Sequence, residues 1–413
     1  MKWALLLLAF VLIIAGCIEN NEQRMQENVD NIIEDNSTEE TIVTQEEICS
    51  DGTEYEFCSE EMPKYCQEGV LIDACEICSC PENMECQEDG TCQESMDRGF
   101  DFIANGTSPR IYGSKIAFES DYLYSRQKSK GLSDIFVYDI TTGQSRNITD
   151  GNSYYRLAQL NDNYVVYGEY LASNDRGVYL YDIQSKEMRI IVGSDNVVAD
   201  RGLYGNIVTW KWWESDYGIY TYKIAEKQIT KIAKLSADMG PLSIYGNKVI
   251  WLNTTWEGGL AKKSIVMYDL DSSQEKEIIT GIGLESALYY KASNNGILVI
   301  EGMTASIYDY NGKLVSRASV PSQNQYTQFS SYGNRVVWAE CISQNTVNSY
   351  TFCENHDIYM LDVGSNSLTI ITDDEIDQNY PDIYENKVVW AECVETINYN
   401  DCIKHSIYMH EIA

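Results

Sequence analysis

Ile244-Tyr245-Gly246-Asn247-Lys248-Val249-Ile250-Trp251 decides the fold of this chain, because the chain repeats it. Tyr332-Gly333-Asn334-Arg335-Val336-Val337-Trp338 and Tyr384-Glu385-Asn386-Lys387-Val388-Val389-Trp390 are near copies, and weaker ones begin at Tyr112, Asn161, Tyr204 and Asn294. That makes seven openings, about 38 to 52 residues apart. A second signature follows each opening after a variable gap, as in Asp134-Ile135-Phe136-Val137-Tyr138-Asp139, Gly177-Val178-Tyr179-Leu180-Tyr181-Asp182 and Asp357-Ile358-Tyr359-Met360-Leu361-Asp362. A polar turn then leads to a closing apolar stretch such as Ile190-Ile191-Val192 or Thr369-Ile370-Ile371-Thr372.

These runs are short, β-branched and aromatic, several alternate with period two, and Gly-Asn, Thr-Gly and Ser-Asn pairs punctuate them. That pattern predicts strands joined by turns, with little helix. Each unit reads as a four-stranded meander, and meanders recurring every 40–50 residues are propeller blades. The expected fold is all-β: a seven-bladed β-propeller of four-stranded antiparallel blades over residues 97–413, preceded by a small disulfide-rich module. The unit at 294–320 lacks the Trp of the others and keeps six or eight blades open. The last unit ends at Ile407-Tyr408-Met409-His410-Glu411-Ile412-Ala413 without a closing strand. Phe100-Asp101-Phe102-Ile103 is expected to supply it, closing the ring and covering a sheet edge. Trp210, Trp251, Trp338 and Trp390 share one register and are expected to pack between blades.

The repeat resembles the TolB-like propeller repeat, in which a short turn precedes an apolar strand and a following Asp-Ile-Tyr strand ends in Asp. Residues 134–139 and 357–362 carry the resemblance, which covers about three quarters of the chain. It implies a propeller lipoprotein of a prokaryotic cell surface, archaeal surfaces included.

The N-terminal segment agrees with that setting. After Lys2, Ala4 to Ala15 is apolar and too short to span a bilayer comfortably. It ends in Ile14-Ala15-Gly16-Cys17, which resembles a lipobox; the resemblance makes residues 1–17 a lipoprotein signal peptide and Cys17 the lipidated residue. Residues 18–48 are acidic and lack aromatic residues, and read as a solvated tether. Of thirteen cysteines, Cys17 aside, twelve remain, an even number suited to disulfides in an oxidising compartment. Eight of them (Cys49, Cys58, Cys66, Cys75, Cys78, Cys80, Cys86 and Cys92) define a module at 49–92 that resembles knottin-like or EGF-like modules, with connectivity left open. Cys75-x-x-Cys78 has a zinc spacing but no histidine nearby, so no metal is assigned there.

In an up-and-down meander the tight turns share one face and the long, variable loops the other, where binding residues concentrate. The repeat register makes Cys341–Cys353 and Cys393–Cys402 the natural pairs, each bracing a long loop. The candidate binding surface on that face is Tyr122, Tyr124, Trp212, Trp213, Trp256, Tyr350, Phe352 and Tyr399. Asn36, Asn105, Asn147 and Asn253 open glycosylation sequons.

The formal net charge of -33 disfavours nucleic acid and anionic membrane surfaces. The expected partner is an envelope protein or glycan, with membrane contact through the lipid anchor only and no cofactor. His356, His405 and His410 are the only histidines, no Gly-x-Ser-x-Gly elbow occurs, and Asp373-Asp374-Glu375 with Asp377 lacks the spacing of an EF-hand. These absences lead to the expectation of a non-catalytic binding scaffold rather than an enzyme. The alternative is a glycosidase or lyase using propeller carboxylates, and it makes a distinct demand: two carboxyls converging in a pocket, one of them desolvated.

Overall fold

The structure, a computed structural model, describes residues 48–412 apart from 55–56, 60, 79, 82–83, 87–88, 95–98, 121–131, 172–173, 214–216, 235–239, 258–259, 283–287, 322–327, 348–349 and 398–400. Cys17 and Asn36 therefore lie outside the described residues, as do Tyr122, Tyr124 and Tyr399. The chain divides into two compact units, Met1–Met96 and Asp97–Ala413. No helix among the described residues is long and apolar enough to cross a membrane.

The first unit has two small hairpins, Lys64–Gln67 with Val70–Asp73 and Met84–Cys86 with Cys92–Glu94, and one helical turn, Cys75–Cys78. Disulfides join Cys49 to Cys66, Cys58 to Cys78, Cys75 to Cys86 and Cys80 to Cys92. Cys49, Cys66, Cys75 and Cys78 are buried, so the half-cystines form much of the core of this unit. Cys75, Cys80 and Cys86 cluster closely, but their sulfurs are oxidised and offer no thiolate to a metal.

The second unit is a ring of seven blades. Blade 1 runs from its inner strand Thr107–Tyr112 through Lys115–Glu119 and Ile135–Asp139 to the outer strand Gln144–Asn147. Blades 2 and 3 share the long strand Glu187–Tyr204, whose first half is the outer strand of blade 2 and whose second half is the inner strand of blade 3. Blades 4 to 6 are separate four-stranded sheets, including the divergent unit around residue 294. Blade 7 takes three strands from the C-terminus, Gln378–Tyr384, Lys387–Ile397 and Asp401–Glu411, and its outer strand, Asp101–Asn105, from the start of the unit. Tyr408 pairs with Phe102 and Ile407 with Ala104, so the ring is closed by strands from both ends. Each inner strand touches the inner strands of the blades on either side, enclosing a central channel.

The repeated sequence now has physical causes. Gly113, Gly205, Gly246 and Gly333 have φ between 52° and 60°, the left-handed geometry a tight turn needs between inner and second strands. In five blades an Asp at the end of the third strand caps the next turn: Asp139, Asp182, Asp269, Asp309 and Asp362 each accept backbone amides two to four residues on. The Lys115 ammonium donates to Asp139 Oδ2 at 2.8 Å, and with the Thr141 hydroxyl this holds that carboxyl down at about 2. Trp210, Trp251, Trp338 and Trp390 are fully buried between blades. Each removes roughly 200 Å² of mostly apolar surface from water, on the order of 5 kcal/mol.

Candidate functional site

The tight-turn mouth of the channel is lined by tyrosines. Tyr112, Tyr204, Tyr245, Tyr332 and Tyr384 each end an inner strand, and their rings meet: Tyr112 and Tyr384 at 4.4 Å between centroids, Tyr204 and Tyr245 at 4.5 Å, and Tyr332 and Tyr384 at 4.7 Å. Tyr204 is also close enough to Tyr112 and Tyr332 for their charges to act on it, which sets the group across the mouth.

Alternation along a strand brings the residue two places earlier to the same face. In five blades that residue is Arg110, Ser243, Lys291, Ser330 or Asp382. They form a polar belt that stitches neighbouring blades. The Ser330 hydroxyl donates to Asp382 Oδ1, the Ile111 amide donates to Asp382 Oδ2 at 2.9 Å, the Ala292 amide donates to Ser243 Oγ at 2.9 Å, and the Lys291 ammonium reaches Ser330 Oγ at 3.5 Å. Desolvation by the channel walls lowers the Lys291 pKa, with Asp382 opposing and Arg110 reinforcing the shift.

Nearer the long-loop face lies a strongly perturbed carboxyl. Glu119 ends the second strand of blade 1, is 7 % exposed, and crosses to blade 2, where its Oε1 accepts the Leu157 amide at 2.8 Å. Burial pushes its carboxyl up to about 7; the Leu157 amide, Arg156 and Arg110 pull it down but do not cancel the desolvation. No donor among the described residues reaches its Oε2. Asp175 is the second carboxyl near it. Its Oδ1 lies 3.7 Å from the Arg156 guanidinium, which sits 5.3 Å over the Tyr170 ring. Glu119 also acts on Tyr380, whose hydroxyl pKa burial raises. Ser108, Asp200 and Tyr380 have φ of 53°, 50° and 56°, so three inner strands carry strained backbone before their last turn. Such strain in a residue other than glycine concentrates at functional sites.

Other charged groups near the channel are occupied. The Arg201 Nε and Nη2 donate to the Gly177 and Arg176 carbonyls, and burial lowers its pKa to about 10. Lys211, 2 % exposed, pairs with Asp200 at 2.5 Å and donates to the Gly240 carbonyl. The acidic run at 373–377 is knitted by hydrogen bonds: Asp374 Oδ1 accepts Gln378 Nε2 and the Ile376 amide, and Asp377 lies 2.7 Å from His356 Nδ1.

The sequence-derived surface is only partly assembled. Trp256 is 66 % exposed on the long hairpin of blade 4. Trp212 is half-buried against Tyr220, and Trp213 lies against Tyr217. Tyr350 and Phe352 fall on the blade 6 hairpin, their side chains outside the described set. Cys341 is bonded to Cys353 and Cys393 to Cys402, with Cα–Cα distances of 5.7 and 5.8 Å. Asn105 and Asn147 are exposed and Asn253 is half-buried. Glu119, Asp175 and Arg156 were not singled out from the sequence. The signal for Glu119 was present in the column after the buried aromatic: Gly168, Leu252, Ile300, Ala339 and Ala391 are small or apolar there, and Glu119 and Lys211 break the pattern.

No family model matches the chain, and no curated protein matches it. Solved structures do. The β-propeller domain of the trilobed protease from Pyrococcus furiosus aligns with a TM-score of 0.51 at 11% identity, covering 71% of this chain and 92% of that one. An oligogalacturonate lyase from Vibrio parahaemolyticus aligns with a TM-score of 0.50 at 10% identity, covering 75% and 91%. An acylaminoacyl peptidase from Pyrococcus horikoshii aligns with a TM-score of 0.48 at 10% identity, covering 70% of this chain and 49% of that one. At these identities the likeness is one of fold. The expectation that the chain is not an enzyme is withdrawn, since solved structures that share this ring include the propeller domain of a protease and an oligogalacturonate lyase. The missing nucleophile elbow and the scarcity of histidine exclude particular chemistries, not catalysis.

Proposed function

We propose that this chain is a carbohydrate-active enzyme, a glycosidase or lyase held outside the cytoplasm by a lipid on Cys17, with its reaction centre in the channel wall where blades 1, 2 and 7 meet. One observation carries the reading: Glu119 is a desolvated carboxyl whose pKa of about 7 matches the operating range of a general acid–base group, and the Asp175 carboxylate is close enough to act on it electrostatically. With a pKa of about 7 Glu119 is present in both protonation states near neutrality, and no donor among the described residues reaches its Oε2, so it can protonate a leaving oxygen or, once ionised, remove a proton. The Arg156 guanidinium lies 3.7 Å from Asp175 and 5.3 Å over the Tyr170 ring, which puts a positive charge in the same wall. Trp256 and the two disulfide-braced hairpins offer a rim for sugar rings, and six disulfides support an oxidising compartment.

The test is turnover of an envelope and plant polysaccharide panel by the wild type and by Glu119→Gln. Loss of an acid–base group should lower kcat by about 10²–10⁴-fold and remove the pH–rate limb near 7. Equal turnover by the two proteins, or glycans that bind and are left unchanged by both, refutes the reading.

A further inference from the structure

The polar belt below Glu119 holds more positive charge than its own contacts use. Arg110 comes from blade 1, Lys291 from blade 5 and Asp382 from blade 7, and both Arg110 and Asp382 act electrostatically on Lys291. Asp382 is already occupied: one oxygen accepts the Ser330 hydroxyl and the other the Ile111 amide. The Arg110 guanidinium donates to the Pro109 carbonyl at 3.0 Å, and the Lys291 ammonium reaches only a long 3.5 Å contact to Ser330. Among the described residues, neither cation stands in an ion pair within 4.0 Å. This occurs in a chain whose formal net charge is -33, where acidic partners abound. Two cations set against one carboxylate leave the belt one positive charge in excess, and the tyrosines crowd the mouth beneath.

We infer that the belt is a carboxylate-binding subsite: Arg110 and Lys291 together hold a single carboxylate group of the ligand in the channel, one layer below Glu119. A guanidinium presents paired donors that match a planar carboxylate, and an ammonium adds a point charge. The excess of one charge suits a monoanion, and Asp382 disfavours a phosphate dianion by like-charge repulsion. The inference deepens the proposed function and rests on it for the location of the chemistry: the sugar is an acidic one, and its carboxylate orients it toward Glu119.

The test is calorimetric titration of the full chain with D-glucuronate, D-glucose and inorganic sulfate as probes. The wild type should bind glucuronate at least about ten-fold more tightly than glucose or sulfate. Arg110→Gln and Lys291→Met should each weaken glucuronate binding by about ten-fold or more, as expected for a lost charged hydrogen bond. Lys276→Met makes the same charge change at an exposed site on blade 4 and should leave binding unaltered. Where a belt variant does not fold, the wild type answers directly: glucuronate should slow labelling of Lys291 by an amine-reactive reagent, read by peptide mass spectrometry, and glucose should not. Equal binding of glucose and glucuronate, unaltered affinity in folded belt variants, or unprotected Lys291 overturns the subsite. Glu119→Gln separates this from the proposed activity. If it and the wild type bind glucuronate alike while no polysaccharide is turned over, the subsite stands and the enzyme reading falls; turnover of neutral glycans with no glucuronate binding does the reverse.

Discussion

Replacing Glu119 by Gln will change how stability depends on pH, in a direction the structure fixes. The folded chain pushes this carboxyl from its usual 4.5 up to about 7, with desolvation as the first cause. Below 4.5 the folded and unfolded chains both hold the proton, and the group's contribution is fully present. Between 4.5 and 7 the unfolded chain releases its proton while the folded chain keeps it. Stability is therefore lost as pH rises through this window, and the loss is complete above 7. At about 1.4 kcal/mol per unit, a shift of roughly 2.5 units amounts to about 3 kcal/mol, an upper figure if water follows the lumen to the ionised group. Gln keeps the shape and an acceptor for the Leu157 amide, and it has no proton to lose. The stability of the variant relative to wild type should rise by about 3 kcal/mol between pH 4.5 and 8, measured by urea unfolding with tryptophan fluorescence. Groups common to both proteins cancel in this difference, including Asp357, which burial raises to about 6. A difference that does not vary with pH would show that Glu119 is well solvated, and would remove its claim to be the proton donor.

Trp390→Ala should cost about 3–5 kcal/mol in the same assay, because it empties an inter-blade site and takes the indole donor, at 3.1 Å, from the fully buried Glu392; Trp390→Phe should cost less, and an unchanged midpoint would contradict the packing role. Replacing Cys341 and Cys353 together by Ser should cost about 3 kcal/mol by loop-closure entropy, and the shorter Cys393–Cys402 loop slightly less; both loops should become sites of limited proteolysis, and no change in cleavage would count against their bracing. Ile103→Asp places a charge in the buried face of the closing strand and should release it from Asp401–Glu411, giving concentration-dependent association visible by light scattering; a monomer as stable as wild type would refute closure by this strand.

The fold was legible because a propeller repeats its physics. Most blades use a left-handed turn residue, an Asp to cap the next turn and a large side chain to fill the gap to the neighbour, so Tyr-Gly-Asn, the terminal Asp and Trp338 or Trp390 recur. The closing strand was legible by subtraction, since the last unit was one strand short and Phe100–Ile103 had no other place. The aromatic surface was less so. Exposure depends on what a loop folds against, and Trp212 lies against Tyr220 where sequence suggested a free ring.

The channel was missed for the complementary reason, and the same register that revealed the blades shows where to look. A repeat is recognised by what its copies share, whereas a site inside a closed ring needs copies that differ, because a ligand in the lumen meets every blade at once. Down the column two places before the turn stand Arg110, Ser243, Lys291, Ser330 and Asp382, which look like noise along the chain and form one belt around the axis. The column after the buried aromatic behaves the same way. Lys211 and Glu119 occupy it in blades 3 and 1, and each reaches across to the next blade, the lysine to the Gly240 carbonyl just before its inner strand and the glutamate to the Leu157 amide within it. The two devices are alike as staples and unlike in what remains. Lys211 is neutralised by Asp200, while Glu119 keeps one oxygen clear of donors among the described residues and a proton it releases near neutrality. A staple alone would be satisfied by an amide; the retained carboxyl is what ties Glu119 to chemistry.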